Sequence, residues 1–318
     1  MLASCLSILL LAANASPATS REPQILRGMH RIVFLGDSIT QAGDYVADVE
    51  CWCLANGIQK DFVNVGLASE TGTDLIGDEN AGHTKAFGFG HPMLGDRLLR
   101  TLTTTKPDLL FVCYGMNDSD CLPPGQPGLD RFAAAMVKID ETATRSGVKR
   151  IVFCTPPIFD NKGPSTQNKR DQVLDGYAKW LLAQRKKGWN VVDFHGPLRE
   201  ALDARRKTDP NFAFAGDGVH PNAEGHWVMA QAIFRDAFGV QVDRIPKAEA
   251  LFPKNGDDIY KLVKSRQDTL LSAYLTAIGH KRPGVPGGPN TPPGPTIAEA
   301  TVQAKAVGDQ ISSLLPKS

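Results

Sequence analysis

Four short blocks of the sequence hold residue types that can do chemistry. Gly36-Asp37-Ser38-Ile39-Thr40 carries a serine hydroxyl, and Asp217-Gly218-Val219-His220-Pro221 sets an aspartate three residues before a histidine. A serine hydroxyl is a weak nucleophile until a neighbouring base takes its proton. Imidazole is the side chain best matched to that task near neutral pH. It needs an acceptor on its second nitrogen to fix the tautomer. Ser38, His220 and Asp217 supply nucleophile, base and orienting group, and Gly218 permits the sharp bend between the last two. The other blocks supply donors. Gly66 offers a backbone N–H with no Cβ in the way. Asn117, in Gly115-Met116-Asn117-Asp118, offers a side-chain amide suited to a developing oxyanion. Each residue alone has a blander use: Ser38 as a helix cap, Gly66, Asn117 and Asp118 in turns, and Asp217 with His220 as a loop brace. Their conjunction favours acyl chemistry.

Chemistry at these positions requires elements that bring them together. Apolar, β-branched runs at 31–35, 61–65, 108–114, 149–155 and 190–194 end at or near Gly36, Gly66, Gly115, Pro156 and Gly196. Such near-continuous apolar runs are expected of parallel strands buried on both faces. Helical periodicity lies between them: Leu129, Phe132, Ala133, Met136 and Ile139 share one face, and Val173, Tyr177, Trp180 and Leu181 share another. Asn222 is placed to cap a helix running from Ala223 to about Phe238. Strands alternating with helices predict one α/β/α sandwich over residues 27–240. Ligands of such sheets bind beyond the carboxyl ends of the strands, where all four blocks fall.

The four blocks, in this order, resemble those of the SGNH (or GDSL) hydrolases, over residues 27–240. The resemblance implies a flavodoxin-like, three-layer sandwich with about five parallel strands. It implies that Ser38 is the nucleophile, His220 the base and Asp217 its orienting partner. It further implies an oxyanion hole made by the N–H of Ser38, the N–H of Gly66 and the side chain of Asn117. Ester or thioester hydrolysis without metal or organic cofactor is the activity implied. Family membership leaves the acyl and alcohol groups open. The favoured substrate is an O-acetylated carbohydrate. Thioesters or lysophospholipids are the enzymatic alternative, and a non-catalytic glycan-binding module is the alternative of another class. The long connection 67–93, with Phe87 and Phe89, and the segment 156–167, with Phe159, are candidate walls of a substrate cleft, with Asp37 beside the nucleophile.

Composition narrows the rest. The chain has 318 residues, with 35 basic and 34 acidic side chains and a net charge of +1. Near-neutral charge argues against a nucleic-acid binder. Cys51 and Cys53 form a C-x-C pair without a second cluster at metal spacing, so no metal site is expected. Cys113 and Cys154 lie inside predicted strands as small buried hydrophobes. A disulfide between Cys121 and Cys51 or Cys53 stays open. His83, His91, His195 and His226 have no motif partner and are read as structural. Residues 1–20 contain no charge, an apolar stretch and Ala13-Asn14-Ala15, the pattern of an export signal peptide, although no basic residue precedes the apolar run. Leu2-Ala3-Ser4-Cys5 only loosely resembles a lipidation box. The apolar stretch is too short for a membrane span, so no stable membrane insertion is expected. Residues 241–318 read as a helical appendage with a Pro/Gly-rich linker at 281–295.

Overall fold

The computed structural model describes residues 22–160 and 169–316. The signal-peptide and lipidation readings therefore lie outside the described residues, as does most of the wall predicted at 156–167. Five parallel strands form the sheet: β1 (Arg31–Gly36), β2 (Asp61–Asn64), β3 (Leu109–Cys113), β4 (Arg150–Cys154) and β5 (Asn190–Val192). Their order is β2-β1-β3-β4-β5, in which Ile32 faces Leu109 across β1 and β3, and Leu109 faces Arg150 across β3 and β4. This is the flavodoxin-like order, whose reversal point lies between β1 and β3. Ser38 lies two residues past β1 and Asn117 four residues past β3. β2 to β5 end one or two residues earlier than their apolar runs, because the last residues leave the ladder, whereas β1 runs one residue past its own, to Gly36.

The helices are α1 (Ser38–Ala42), α2 (Asp44–Ala55), α3 (Ala81–Phe87), α4 (Leu98–Thr105), α5 (Asp118–Cys121), α6 (Gln126–Arg145), α7 (Lys169–Gln184), α8 (His195–Arg206), α9 (Ala223–Ile233), α10 (Gly256–Ile278) and α11 (Ile297–Leu314). Right-handed crossovers in this strand order put α2 and α9 on one face of the sheet and α4, α6 and α7 on the other. α2 packs on α9, and α6 packs on both α4 and α7. Asn222 caps α9 as its sequence predicts, its side chain accepting from the Gly225 N–H. Beyond Ile233 the chain winds wider, as one π-type turn over Phe234–Phe238. The connection after β2 is not structureless, for it contains α3.

The C-terminal helices are packed onto this sandwich. α10 touches β2 and the flanking helices α2 and α4, and so covers the β2 edge of the sheet. Ile259, Val263, Leu270 and Tyr274 of α10 enter the same core as the strands. Each side chain of that size stabilises by about 1.5–3 kcal/mol when fully buried. A polar clamp fixes the docking: Glu50 of α2 accepts from Arg266 at 2.5 Å and from Gln267 at 2.6 Å. α11 lies against α10, its start closed by a reciprocal Thr296–Glu299 capping box. Val285 in the Pro/Gly segment packs on Leu67, Leu271 and Leu275. Among the described residues no helix is long and apolar enough to cross a membrane.

Candidate active site

At the exit of β1 the chain makes a tight turn into α1. Asp37 caps that helix, its Oδ1 accepting from the Ile39 N–H at 3.0 Å. Ser38 is thereby the first residue of α1, where backbone amides lack intrahelical partners. Its hydroxyl lies 2.8 Å from His220 Nε2. The other imidazole nitrogen, Nδ1, lies 2.6 Å from Asp217 Oδ2. With Nδ1 donating to the carboxylate, Nε2 is left as the acceptor for the serine proton. The structure thus brings Ser38, His220 and Asp217 into one hydrogen-bonded line across 182 residues of sequence.

The Asp217–His220 turn is built locally. Asp217 Oδ1 accepts from the backbone N–H groups of Val219 and His220, both at 2.9 Å. Gly218 has φ +85°, a left-handed conformation that L side chains rarely adopt, and a Cβ there would sit 3.0 Å from the Phe159 ring. Partial burial pushes the Asp217 carboxyl upward, but the bonds from the His220 backbone, the His220 ring and the Val219 N–H prevail and hold it at about 2. Both side chains are about half exposed, so the base side of the site is open to solvent.

The donor side is buried. Gly66 sits so close to α1 that a Cβ would lie 2.3 Å from the Gln41 nitrogen. Only glycine fits. Its N–H points back to Asn64 Oδ1 at 2.8 Å, and Asn64 in turn donates to the Thr40 carbonyl at 2.6 Å. Asn117 donates one amide hydrogen to the Glu70 carbonyl at 2.9 Å. Asp118 is fully buried and accepts from the N–H groups of Thr73 and Gly72. It ties the loop after β2 to the end of β3 and is not on the Ser38–His220 line.

The expected cleft walls are less uniform. Asp37 does not line a cleft: it is 2% exposed, with its carboxylate turned inward to cap α1. Burial pushes its carboxyl up to about 7. Phe159 supports the site from below, its ring against Gly218 on one side and 4.9 Å from the Arg170 guanidinium on the other. Phe87 is exposed on α3, and Phe89 packs under Arg282 of the Pro/Gly segment at 4.2 Å. His83 and His91 meet each other with tilted rings beside these aromatics. His195 and His226 are buried within the helical layers, His226 stacked on Tyr45. Cys51, Cys53, Cys113, Cys121 and Cys154 are free thiols, so the Cys121 pairing does not form. No group of three metal-ligating side chains gathers among the described residues.

Sequence reasoning missed three contributors. Arg170 reaches from α7 to the Met116 carbonyl at 2.8 Å and to the Ser119 hydroxyl at 3.1 Å, bracing the turn that carries Asn117. Asp160, buried, holds the Ala215 N–H at 3.0 Å and the Arg206 guanidinium at 2.6 Å, and its own N–H donates to the Gly218 carbonyl. Arg97 pairs with Glu70, whose backbone carbonyl holds the Asn117 amide. None of the three has a local signature, since each acts across the fold. A buried-charge argument could have singled out Glu70 and Arg97 only once their neighbours were known.

Comparison with known proteins agrees with this architecture. The pattern of the GDSL-like lipase/acylhydrolase family matches residues 34–228, from β1 into α9. The chain belongs to that family and is a carboxylic ester hydrolase. It is similar to an acetylxylan esterase of Geobacillus stearothermophilus, 26% identical over 218 residues, covering 65% of this chain and 93% of that protein. It is also similar to the uncharacterized lipoprotein YqeF of Bacillus subtilis, 29% identical over 143 residues, 43% of this chain and 53% of the relative. A solved structure of an acetyl xylan esterase variant from G. stearothermophilus shares the fold, with TM-score 0.50, 21% identity, and coverage of 67% of this chain and 96% of that one.

Proposed function

We propose that this ester hydrolase is an exported serine esterase that removes short O-acyl groups, acetyl above all, from carbohydrate. The observation that carries the catalytic part is the Ser38 Oγ–His220 Nε2–Nδ1–Asp217 line, at 2.8 and 2.6 Å. His220 takes the Ser38 proton as the oxygen bonds to the ester carbonyl carbon. Asp217 keeps the ring in the required tautomer and stabilises the imidazolium. The negative charge on the former carbonyl oxygen is met by the Ser38 N–H, the Gly66 N–H and the second amide hydrogen of Asn117. Gly66 shares its hydrogen between Asn64 and the oxyanion. His220 then hands its proton to the departing sugar hydroxyl, leaving acyl-Ser38. Water, activated by the same imidazole, cleaves the acyl-enzyme and releases the carboxylic acid.

The acetyl-glycan part is supported by the likeness to an acetylxylan esterase over most of that protein's length. The openness of the base side fits a bulky polymer whose acyl group alone must reach Ser38. Export is supported by the pattern of residues 1–20 and by the likeness to a protein named a lipoprotein. The test is an acyl-chain series with one leaving group, run beside acetate release from acetylated xylan. A C2 optimum with polysaccharide turnover is expected. An optimum at C8 or longer overturns the glycan reading in favour of a lipid ester. Ser38→Ala should abolish turnover with an unchanged melting temperature. A folded Ser38→Ala enzyme at the wild-type rate overturns the nucleophile assignment.

A further inference from the structure

The Arg97–Glu70 ion pair belongs to no motif, and the reaction scheme above gives it no role. Arg97 is the N-cap residue just before α4 and is 1% exposed; Glu70 lies in the loop after β2 and is 0% exposed. Arg97 Nε donates to Glu70 Oε1 at 2.7 Å and Nη2 to Oε2 at 2.6 Å. The Tyr114 hydroxyl, just past β3, donates to the same Oε2 at 2.5 Å. Stability alone gives little reason for such a pair, because well-packed apolar residues in place of buried ion pairs are often at least as stable. The remaining bonds of the pair are more informative.

Arg97 Nη2 also donates to the Val65 carbonyl at 2.9 Å. That carbonyl and the Gly66 N–H belong to one peptide unit. In a planar trans peptide the two groups point in opposite directions. A cation held on the oxygen fixes the plane and polarises the N–H on the far side. Glu70, from its side, offers its backbone carbonyl to the Asn117 amide, which fixes the amide plane and leaves one hydrogen to point elsewhere. The guanidinium of the pair is therefore bonded to the peptide of Gly66, and the main chain of its partner Glu70 to the side chain of Asn117.

We propose that Arg97 and Glu70 are positioning residues that aim the Gly66 and Asn117 donors at the reacting carbonyl. The inference rests on the reading of those two groups as oxyanion donors. It makes the loop after β2 and the start of α4 part of the catalytic apparatus, although neither touches substrate.

The central variant is Arg97→Lys. An ammonium can stay paired with Glu70, but it lacks the planar fork that spans the carboxylate and the Val65 carbonyl together. On an activated acetyl ester, kcat should fall about tenfold with KM unchanged, a smaller loss than removal of a whole donor. The affinity for a boronic acid, which mimics the tetrahedral intermediate on Ser38, should fall in parallel. The double variant Arg97→Met with Glu70→Gln removes both charges and leaves the buried Val65 carbonyl without its arginine donor, so it should melt below the wild type while showing the same kcat loss. Tyr114→Phe removes only the hydroxyl that donates to Glu70 and should lower kcat by less than Arg97→Lys does. A folded Arg97→Lys or double variant with wild-type kcat overturns the proposal, as does a kcat loss that leaves boronate affinity intact. If neither folds, Tyr114→Phe decides by the same criteria. Asn117→Ala is measured alongside. An unchanged kcat there removes the oxyanion reading itself, whereas a slow Asn117→Ala beside fast Arg97 variants removes only the inference.

Discussion

Asp37 and Asp217 stand on either side of the Ser38–His220 pair, and their surroundings drive them in opposite directions. Asp37 is almost fully buried and receives one backbone hydrogen bond, from Ile39; burial dominates and pushes it up to about 7, with Asp118 and Glu70 adding repulsion. Asp217 is about half exposed, and three hydrogen bonds from Val219 and His220 outweigh its partial burial and hold it at about 2. The two carboxylates differ little in intrinsic acidity. What separates them is the count of donors set against the loss of water. The same division runs through the whole site. Its base side is an open turn held by local bonds, and its donor side is buried and held by bonds across the fold.

The largest test of this division is Asp217→Asn. The amide can still accept from the Val219 and His220 N–H groups, so the turn should persist and the melting temperature should change little. Its NH2, however, would face His220 Nδ1 and favour the tautomer with hydrogen on Nε2, which cannot accept from Ser38. We expect kcat to fall by about 10⁴, the size of loss typical when an orienting carboxylate becomes an amide. A loss under tenfold in steady-state assays would mean that Asp217 does not set the tautomer. On the donor side, Asn117→Ala should lower kcat by about 10²–10³. It should also lower stability, because it leaves the Glu70 carbonyl without its 2.9 Å donor. The comparison predicts that pairing: activity without stability on the base side, both together on the donor side.

This contrast also explains what could be read from the sequence. The Asp217–His220 turn was legible because its bonds span two and three residues, and Gly218 marks the positive φ between them. The strands were legible because burial on both faces leaves unbroken apolar runs. The supports of the donor side were not. Arg97 reaches Val65 from 32 residues away and Arg170 reaches Met116 from 54, and charged residues in a sequence carry no mark of the partner that will bury them. Asp37 was misplaced even though its bond is local. Its position beside Ser38 promised a cleft wall, but the capping bond to Ile39 turns it inward. The docking of α10 was half legible: a helical appendage over 241–318 was visible, while the Glu50 clamp that fixes it was not.

Asp37→Asn sharpens the buried half of the comparison. Asparagine can keep the cap to Ile39 without a charge to desolvate. A carboxyl raised from its ordinary 3.8 to about 7 binds its proton more tightly in the folded chain than in the unfolded one. Its cost to the fold is therefore absent below about pH 4, grows between pH 4 and 7, and is complete above that. The variant should gain stability at pH 8, by at most about 4 kcal/mol from the shift at 1.36 kcal/mol per unit. The gain should vanish by pH 4. Denaturant melts at the two pH values check it, and an equal gain at both would mean that the charge of Asp37 is not what burial opposes.

Asp217 should show the opposite dependence and the smallest effect. Its carboxyl is held at about 2, below its ordinary 3.8, so the folded chain releases this proton more readily than the unfolded one. The stabilisation is fully present above the unfolded value and is lost as pH falls from about 4 to 2. Because both members of the Asp217–His220 pair are about half exposed, solvent screens the interaction and the contribution stays small. Relative to the wild type, Asp217→Asn should therefore be slightly less stable at pH 6 and equal to it near pH 2, while Asp37→Asn moves ahead only as pH rises above about 4. If the Asp217→Asn deficit were instead as large at pH 2 as at pH 6, the asparagine would have disturbed the turn itself. Its loss of activity would then reflect a displaced His220 and not a changed tautomer.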